Sequence, residues 1–444
     1  MIAFATLFLG LVTGVVPVNF LVEGSVAEVR LEMDGKEAGR VQGPPWTLTV
    51  DFGRELMPRE LVARALDGQG KEVATARQMV NLPRPPAEVD VVLERDKNGN
   101  PVAATYSGAS LVSLQPARVM VTFDSKPLAP SKAGRVELPD YNPEEPHVLS
   151  VELVFTPAVR SRADVVFGGG TTSVATSELT AVPIRVGEAV DAPTPEGLSE
   201  SFTRTGAPLS VAAVENGPVL LCVVRGPTVA TALSVLGTGG KTTLKQEVSS
   251  KNPLPAYDRD ASRELMTLDK GDRLRFLWPI TSVKNAAPGT QLFDHSHDFD
   301  VSDAGIHWLL TRVEHPGPYP GLERLADATA VAGLEAAASS SRRAVVLVLG
   351  DEVVDPSRYT PSAVRQYLSM IRVPLFVWSL RGISMQSLAR EWGHVEDVSS
   401  MKGLVRAVDR LKADLAKQRI VWVQGRYLPQ EIELAEGAKV ELAR

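Results

Sequence analysis

Residues 24–84 alternate apolar and polar positions in short runs, at 29–33, 46–50, 61–66 and 79–82, with Asp34-Gly35 after the first run and Asp67-Gly68 after the third. Alternation with period two buries one face of a strand, and Asp-Gly tolerates the positive φ that tight hairpins need. The segment therefore predicts an antiparallel β-sandwich. The pattern returns about 90 residues later, close to the length of one such domain. Residues 119–126 echo 29–36, and 149–155 echo 61–67. Two tandem immunoglobulin-like sandwiches are expected, over 24–84 and 87–186. Residues 187–217, with Pro193, Pro195 and Pro208, read as a linker or extended segment.

From Pro218 the period changes. Residues 218–224 and 344–349 are continuous apolar runs, as expected of strands buried on both faces. Further strands are expected at 273–278, 374–380, 394–398 and 420–423. Helical spacing recurs between them: Ile306, Leu309, Leu310 and Val313 behind a Ser302 cap, then Leu322, Leu325, Ala328, Val331 and Leu334. Thr360-Pro361 caps a helix through Val364, Leu368 and Ile371. A helix is also expected over 260–268, and a short one from Ser384 to Trp392. Met401, Leu404, Val405, Val408, Leu411 and Leu415 form the clearest amphipathic stripe, best explained as core. Strands alternating with helices imply a doubly wound parallel sheet over 218–428, followed by a tail at 429–444. Trp278, Trp308, Trp378, Trp392 and Trp422 fall on these elements and are expected in the core.

The 444 residues suffice for two to four domains, and a net charge of −6 on mixed-sign residues leaves no basic stripe for nucleic acid. Cys222, the single cysteine, sits inside an apolar run and reads as inert packing. Residues 1–18 are uniformly apolar and the first charged side chain is Glu23. Residues 1–22 are expected to be a secretory signal, with an uncleaved anchor or a buried strand as alternatives. A secreted, periplasmic or cell-envelope location follows from the first.

Residues 218–428 resemble a von Willebrand factor A domain, of the type found in acidobacterial secreted proteins behind immunoglobulin-like domains. The residues carrying the resemblance are the opening strand 219–224, then 268–277, 342–352, 373–380 and 388–394. That family holds Mg²⁺ with Asp-x-Ser-x-Ser after the first strand, a Thr in a later loop and an Asp after a middle strand. Here Arg225, Gly226, Pro227, Thr228 and Val229 follow the first strand, and 316–321 contain no Thr. Only Asp351 stands near a ligand position. The resemblance thus implies a degenerate metal site, whose edge would be formed by Arg225, Thr228, Asp351 and Glu352, with an Arg225–Asp351 salt bridge in place of the ion. No cofactor is expected. The stretch 229–258 departs from the family and reads as an insertion or a helix.

Two other segments carry candidate chemistry. Residues 236–242 resemble a phosphate loop, but Val235 occupies the position of its first Gly, so nucleotide binding is rejected. Residues 294–300 hold His295, His297 and Asp298, which in an extended chain could offer a zinc site. The plainer account is an acidic loop whose carboxylates face the next helix N-terminus. No Ser/His/Asp or Cys/His arrangement or Gly-x-Ser-x-Gly elbow is evident. The function expected is an exported, non-catalytic protein–protein interaction or adhesion module that binds without metal. A membrane tether through the N-terminal segment remains open, and the alternatives are divalent-dependent adhesion with a rearranged site and an enzyme with an unrecognised one.

Overall fold

The computed structural model describes the chain except residues 1, 9, 84–86, 98, 111–112, 114, 125, 130–133, 157–158, 170–178, 188–192, 228, 237–265, 282–290, 316, 318–322, 339–340, 351–353 and 381–390. It divides into two compact units. One comprises Met1–Pro83, Ala181–Val421 and Leu428–Arg444, the other Arg84–Thr180 and Trp422–Tyr427.

The first unit opens with an immunoglobulin-like β-sandwich. Its strands are β1 (Ile2–Phe4), β2 (Val15–Val22), β3 (Glu28–Met33), β4 (Lys36–Val41), β5 (Thr47–Asp51), β6 (Arg59–Leu66) and β7 (Glu72–Val80). They pair antiparallel as β1-β2-β5 and β4-β3-β6-β7. Alternate residues Val29, Leu31, Leu61, Ala63 and Ala65 meet Phe4, Val18, Phe20 and Val50 in one core. The β3–β4 turn is Asp34-Gly35, with φ of 51° and 73°, as its two-residue length requires. Residues 1–22, expected as an export signal or anchor, thus include two sandwich strands. Their uniform apolarity reflects core residues such as Phe4, Phe8 and Phe20, and the domain expected from residue 24 starts with β1.

The second unit holds β8 (Ala87–Arg95), β9 (Pro101–Ser110), β10 (Arg118–Phe123), β11 (Lys126–Leu128), β12 (Arg135–Glu137), β13 (Pro146–Thr156) and β14 (Val159–Gly168). Sheets β11-β10-β13-β14 and β12-β9-β8 enclose Val121, Phe123, Val136, Leu149, Val151 and Phe167.

Residues expected as linker and tail instead carry strands: β16 (Phe202–Arg204), β17 (Ala207–Pro208) and β18 (Val211–Glu215), with β27 (Glu433–Leu434) and β28 (Val440–Leu442) near the C-terminus, while β15 (Leu179–Val186) comes from the end of the segment expected as the second sandwich. β16 pairs with β17 and β27, and β15 with β28, all antiparallel. Their short alternations are masked in sequence by neighbouring prolines.

A mixed sheet occupies the middle of the first unit: β19 (Val219–Arg225), β20 (Arg273–Thr281), β21 (Phe293–His295), β22 (Phe299–Asp300), β23 (Arg342–Leu349), β24 (Leu375–Ser379) and β25 (Glu396–Asp397). The order is β21-β20-β19-β23-β24-β25, with β22 also on β20. β20, β19, β23, β24 and β25 pair in parallel in that order, whereas β21 and β22 run antiparallel to β20. One face packs on α4 (Leu325–Ala338) and α5 (Pro361–Met370) through Cys222, Val224, Val345 and Leu347. The other packs on α1 (Val229–Val235), α3 (Ile306–Arg312) and α6 (Met401–Lys417) through Leu221, Val223, Val346 and Val348.

The expected fold class is corrected. Among the described residues strand takes up 46% and helix 18%, and the strands form seven sheets, six of only three or four strands. The chain is predominantly β, in small and largely antiparallel sheets, rather than two sandwiches followed by a von Willebrand factor A-like doubly wound α/β domain. The seventh sheet is mixed, and residues 420–423, expected to close it, belong to β26 (Gln418–Gln424) in the sheet β18-β26-β15-β28. Continuous apolar runs specify burial on two faces, not the direction or destination of flanking strands.

Local differences have local causes. Asp300, not Ser302, caps the turn α2 (Val301–Ala304), accepting from the Ser302 amide at 2.9 Å. Gly305, at φ 73°, then separates α2 from α3, a conformation L side chains rarely adopt. Thr360 and Ser400 cap α5 and α6 as side-chain acceptors. Trp278, Trp378 and Trp392 are buried, but Trp308 is 48% exposed on α3, away from the stripe of Ile306, Leu309 and Leu310. The helices expected over 260–268 and from Ser384 fall largely outside the described residues.

Candidate functional site

The candidate edge begins where β19 ends. Arg225 is the last residue of a strand buried throughout, and it is itself 0% exposed. Its guanidinium donates to the Val313 carbonyl and, at 3.4 Å, to the Gly226 carbonyl. It also lies 4.9 Å from the centre of the Phe276 ring, a cation–π distance. Burial pushes its pKa down to about 10, with Glu314 opposing the shift. Arg225 is thus neither a solvent-facing rim residue nor a surface contact. It is an internal tie between the end of β19 and the segment after α3.

That segment carries a second tie. His315 Nε2 lies 2.9 Å from Asp294 Oδ2 and its Nδ1 2.9 Å from the Gly317 carbonyl, while Trp278 meets the ring edge-on at 5.3 Å. Glu323, also buried, packs so closely on Gly226 that any side chain there would collide with its carboxylate. A larger residue at 226 would need the Glu323 carboxylate to move aside. Sequence reasoning missed His315 and Glu323, because nothing local links His315 to Asp294 or Glu323 to Gly226.

Thr228, Asp351 and Glu352 lie outside the described residues, as do the phosphate-loop-like residues 237–242 and most of 316–321. The expected Arg225–Asp351 bridge therefore falls outside them too. Among what is described, Arg225 meets backbone carbonyls and an aromatic face.

The alternative zinc set is drawn apart. Asp298 is gripped by Arg275 through Nε at 2.6 Å and Nη2 at 3.1 Å, and Arg275 also reaches Glu335 at 3.1 Å. These partners, Asp298 first, push the Arg275 pKa up. His297 packs against Phe299, ring centres 4.1 Å apart, and His295 Nδ1 lies 3.1 Å from the Ser296 carbonyl. Among the described residues no three His, Cys, Asp or Glu side chains gather as metal ligands would. Asp300 instead serves the fold. Hydrogen bonds from Ser302 and the neighbouring Arg273 hold its carboxyl down to about 2. Cys222 is buried, and burial pushes its thiol pKa well up.

No protein-family model matches the chain, and no curated protein matches it. Among solved structures it is similar to fibronectin(III)-like modules of Clostridium thermocellum CbhA, at 14% identity over 18% of this chain and 93% of that one, with TM-score 0.17. It is also similar to the central fibronectin-III array of RIM-binding protein, at 12% identity over 46% and 81%, with TM-score 0.24. A Parabacteroides merdae β-glucuronidase matches at 14% identity over 38% and 24%, with TM-score 0.15. Likenesses this low carry no activity to this chain. The immunoglobulin-like assignment rests on the strand pairing described above.

Proposed function

We propose that this is a non-catalytic protein-binding module whose sheet edge keeps its shape without a metal ion. The observation that carries the proposal is the engagement of Arg225. A permanent cation fixed by the Val313 and Gly226 carbonyls and the Phe276 ring fills the end of a central strand. A divalent ion placed there would face that buried charge at short range, where water cannot screen the repulsion. In this proposal Arg225 supports the edge from within.

The test uses the full chain. Its thermal unfolding midpoint should be the same in MgCl₂ and in EDTA, and partner proteins retained from an envelope extract should be retained equally in both. Magnesium-dependent stabilisation, or retention lost in EDTA, would sink the metal-free reading.

A further inference from the structure

The two sandwiches share a turn device that differs at one residue. In the first, Asp34 follows β3 at φ 51°, and in the second Asp124 follows β10 at φ 46°. The Asp34 amide donates to the Glu60 carbonyl at 2.9 Å, as the Asp124 amide does to Val148. Asp34 Oδ1 accepts from the Glu60 amide at 2.9 Å, and Asp124 Oδ1 from the Val148 amide at 2.9 Å. The second carboxylate oxygen meets a basic side chain in both, Arg59 Nη1 at 2.7 Å and His147 Nδ1 at 2.7 Å. One latch therefore has a permanent cation and the other a titratable ring.

We propose that His147 is a pH-sensitive latch in the second sandwich, closed while its imidazole carries two protons and released when it loses one. The geometry requires two protons. Nδ1 faces the Asp124 carboxylate, and Nε2 faces the Asn142 carbonyl at 2.8 Å. Both partners are acceptors, so both ring nitrogens must donate. A neutral ring can satisfy only one, leaving a lone pair against an acceptor inside a nearly closed pocket. That pocket is walled by Phe123, stacked at 5.2 Å, Tyr141, edge-on at 4.9 Å, and Phe167 at 6.1 Å. The charged groups acting on the ring are Asp124 and Glu145, both acidic, while Lys126 acts on Asp124. Desolvation works against the cation, but the Asp124 and Asn142 hydrogen bonds and the two acidic groups outweigh it and raise the ring above its ordinary 6.5.

The sign follows. Because folding raises the His147 pKa, the latch is fully stabilising below the unfolded pKa and is lost as pH rises through the folded one. Opening frees the Asn142 turn and weakens the hold on Asp124 together, since the ring bridges them.

The experiment is an NMR titration of the imidazole Cε1–H resonances of the full chain, with His147 assigned by its loss in H147Q. Hydrogen exchange of the Val148 amide, corrected for intrinsic pH dependence, is followed in parallel. A His147 midpoint above 6.5, with Val148 protection falling across it, is expected. H147R, which copies the Arg59 latch, should keep Val148 protected at pH values above the parent's measured His147 midpoint, where the parent has lost it. A midpoint at or below 6.5, or Val148 protection unchanged across the midpoint, would overturn the proposal; both are read on the parent protein, so they decide it even if H147R does not fold.

Discussion

Arg342 and Arg343 are adjacent at the start of β23, and each donates to the last turn of a helix on a different face of the sheet. Arg342 reaches the Leu415 carbonyl of α6 at 3.0 Å, and Arg343 the Ala337 carbonyl of α4 at 3.0 Å. Strand alternation sends neighbours to opposite faces, and helix C-termini carry unsatisfied carbonyls with partial negative charge. One dipeptide thus satisfies two helix ends. Arg343→Met should leave the Ala337 and Arg372 carbonyls without this donor and destabilise the protein by about 2–4 kcal/mol, read from urea unfolding. An unchanged midpoint would mean that water replaces the guanidinium at no cost.

Leu347 is fully buried at the centre of β23, in contact with the α4–α5 layer. Leu347→Ala should cost about 2–5 kcal/mol in chemical unfolding, the range for a core truncation that cannot collapse. A loss below about 1 kcal/mol would place this strand outside the rigid core.

Phe4 and Phe20 pack with ring centres 5.4 Å apart inside the first sandwich. Phe20→Ala should lower stability by about 3–5 kcal/mol, and removing residues 2–22 should prevent the sandwich from folding. A natively folded deletion variant would show that β1 and β2 are dispensable.

Asp300 offers an acid-side test. Its folded pKa lies near 2, below the ordinary 3.8, so the stability it contributes is present above the unfolded value and lost as pH falls from about 4 towards 2. In Asp300→Asn the acid limb of a stability–pH curve should be shallower over that window. Curves of equal slope would show that the carboxylate is not selectively held.

Addition of equimolar zinc should leave the melting temperature unchanged, because Arg275 already grips Asp298 at 2.6 and 3.1 Å. A zinc-dependent rise in the parent protein, lost in His295→Ala, would restore the metal site.

Much of the local structure was legible in the sequence, for reasons that also mark its limit. The period-two run at 29–33 and the Asp34-Gly35 turn are local signals that fix the β3–β4 hairpin, whereas the run at 61–66 pairs with β3 across intervening strands. The apolar run before Arg225 likewise announced a strand buried on both faces. Strand partnership was not legible: β26 reads like a further strand of the mixed sheet but pairs elsewhere, because its alternation serves either neighbour equally. The site failed differently. Arg225 was visible as a cation where a carboxylate was sought, yet its partners are backbone carbonyls, which any sequence supplies.

The pairing of β15 with β28, Ile184 opposite Leu442 and Val186 opposite Val440, sets an order on biosynthesis. At roughly 5–20 residues per second, β15 leaves the ribosome on the order of ten seconds or more before its partner strand is made. Throughout that interval an apolar strand edge stands open, the kind of template that invites pairing with other chains. Residues 87–168 form their sheets from local neighbours and can be complete by then. Slow passage through the last third of the message would therefore be paid for in aggregation of nascent chains, and a chaperone that covers β15 would recover yield without changing the stability of the finished protein.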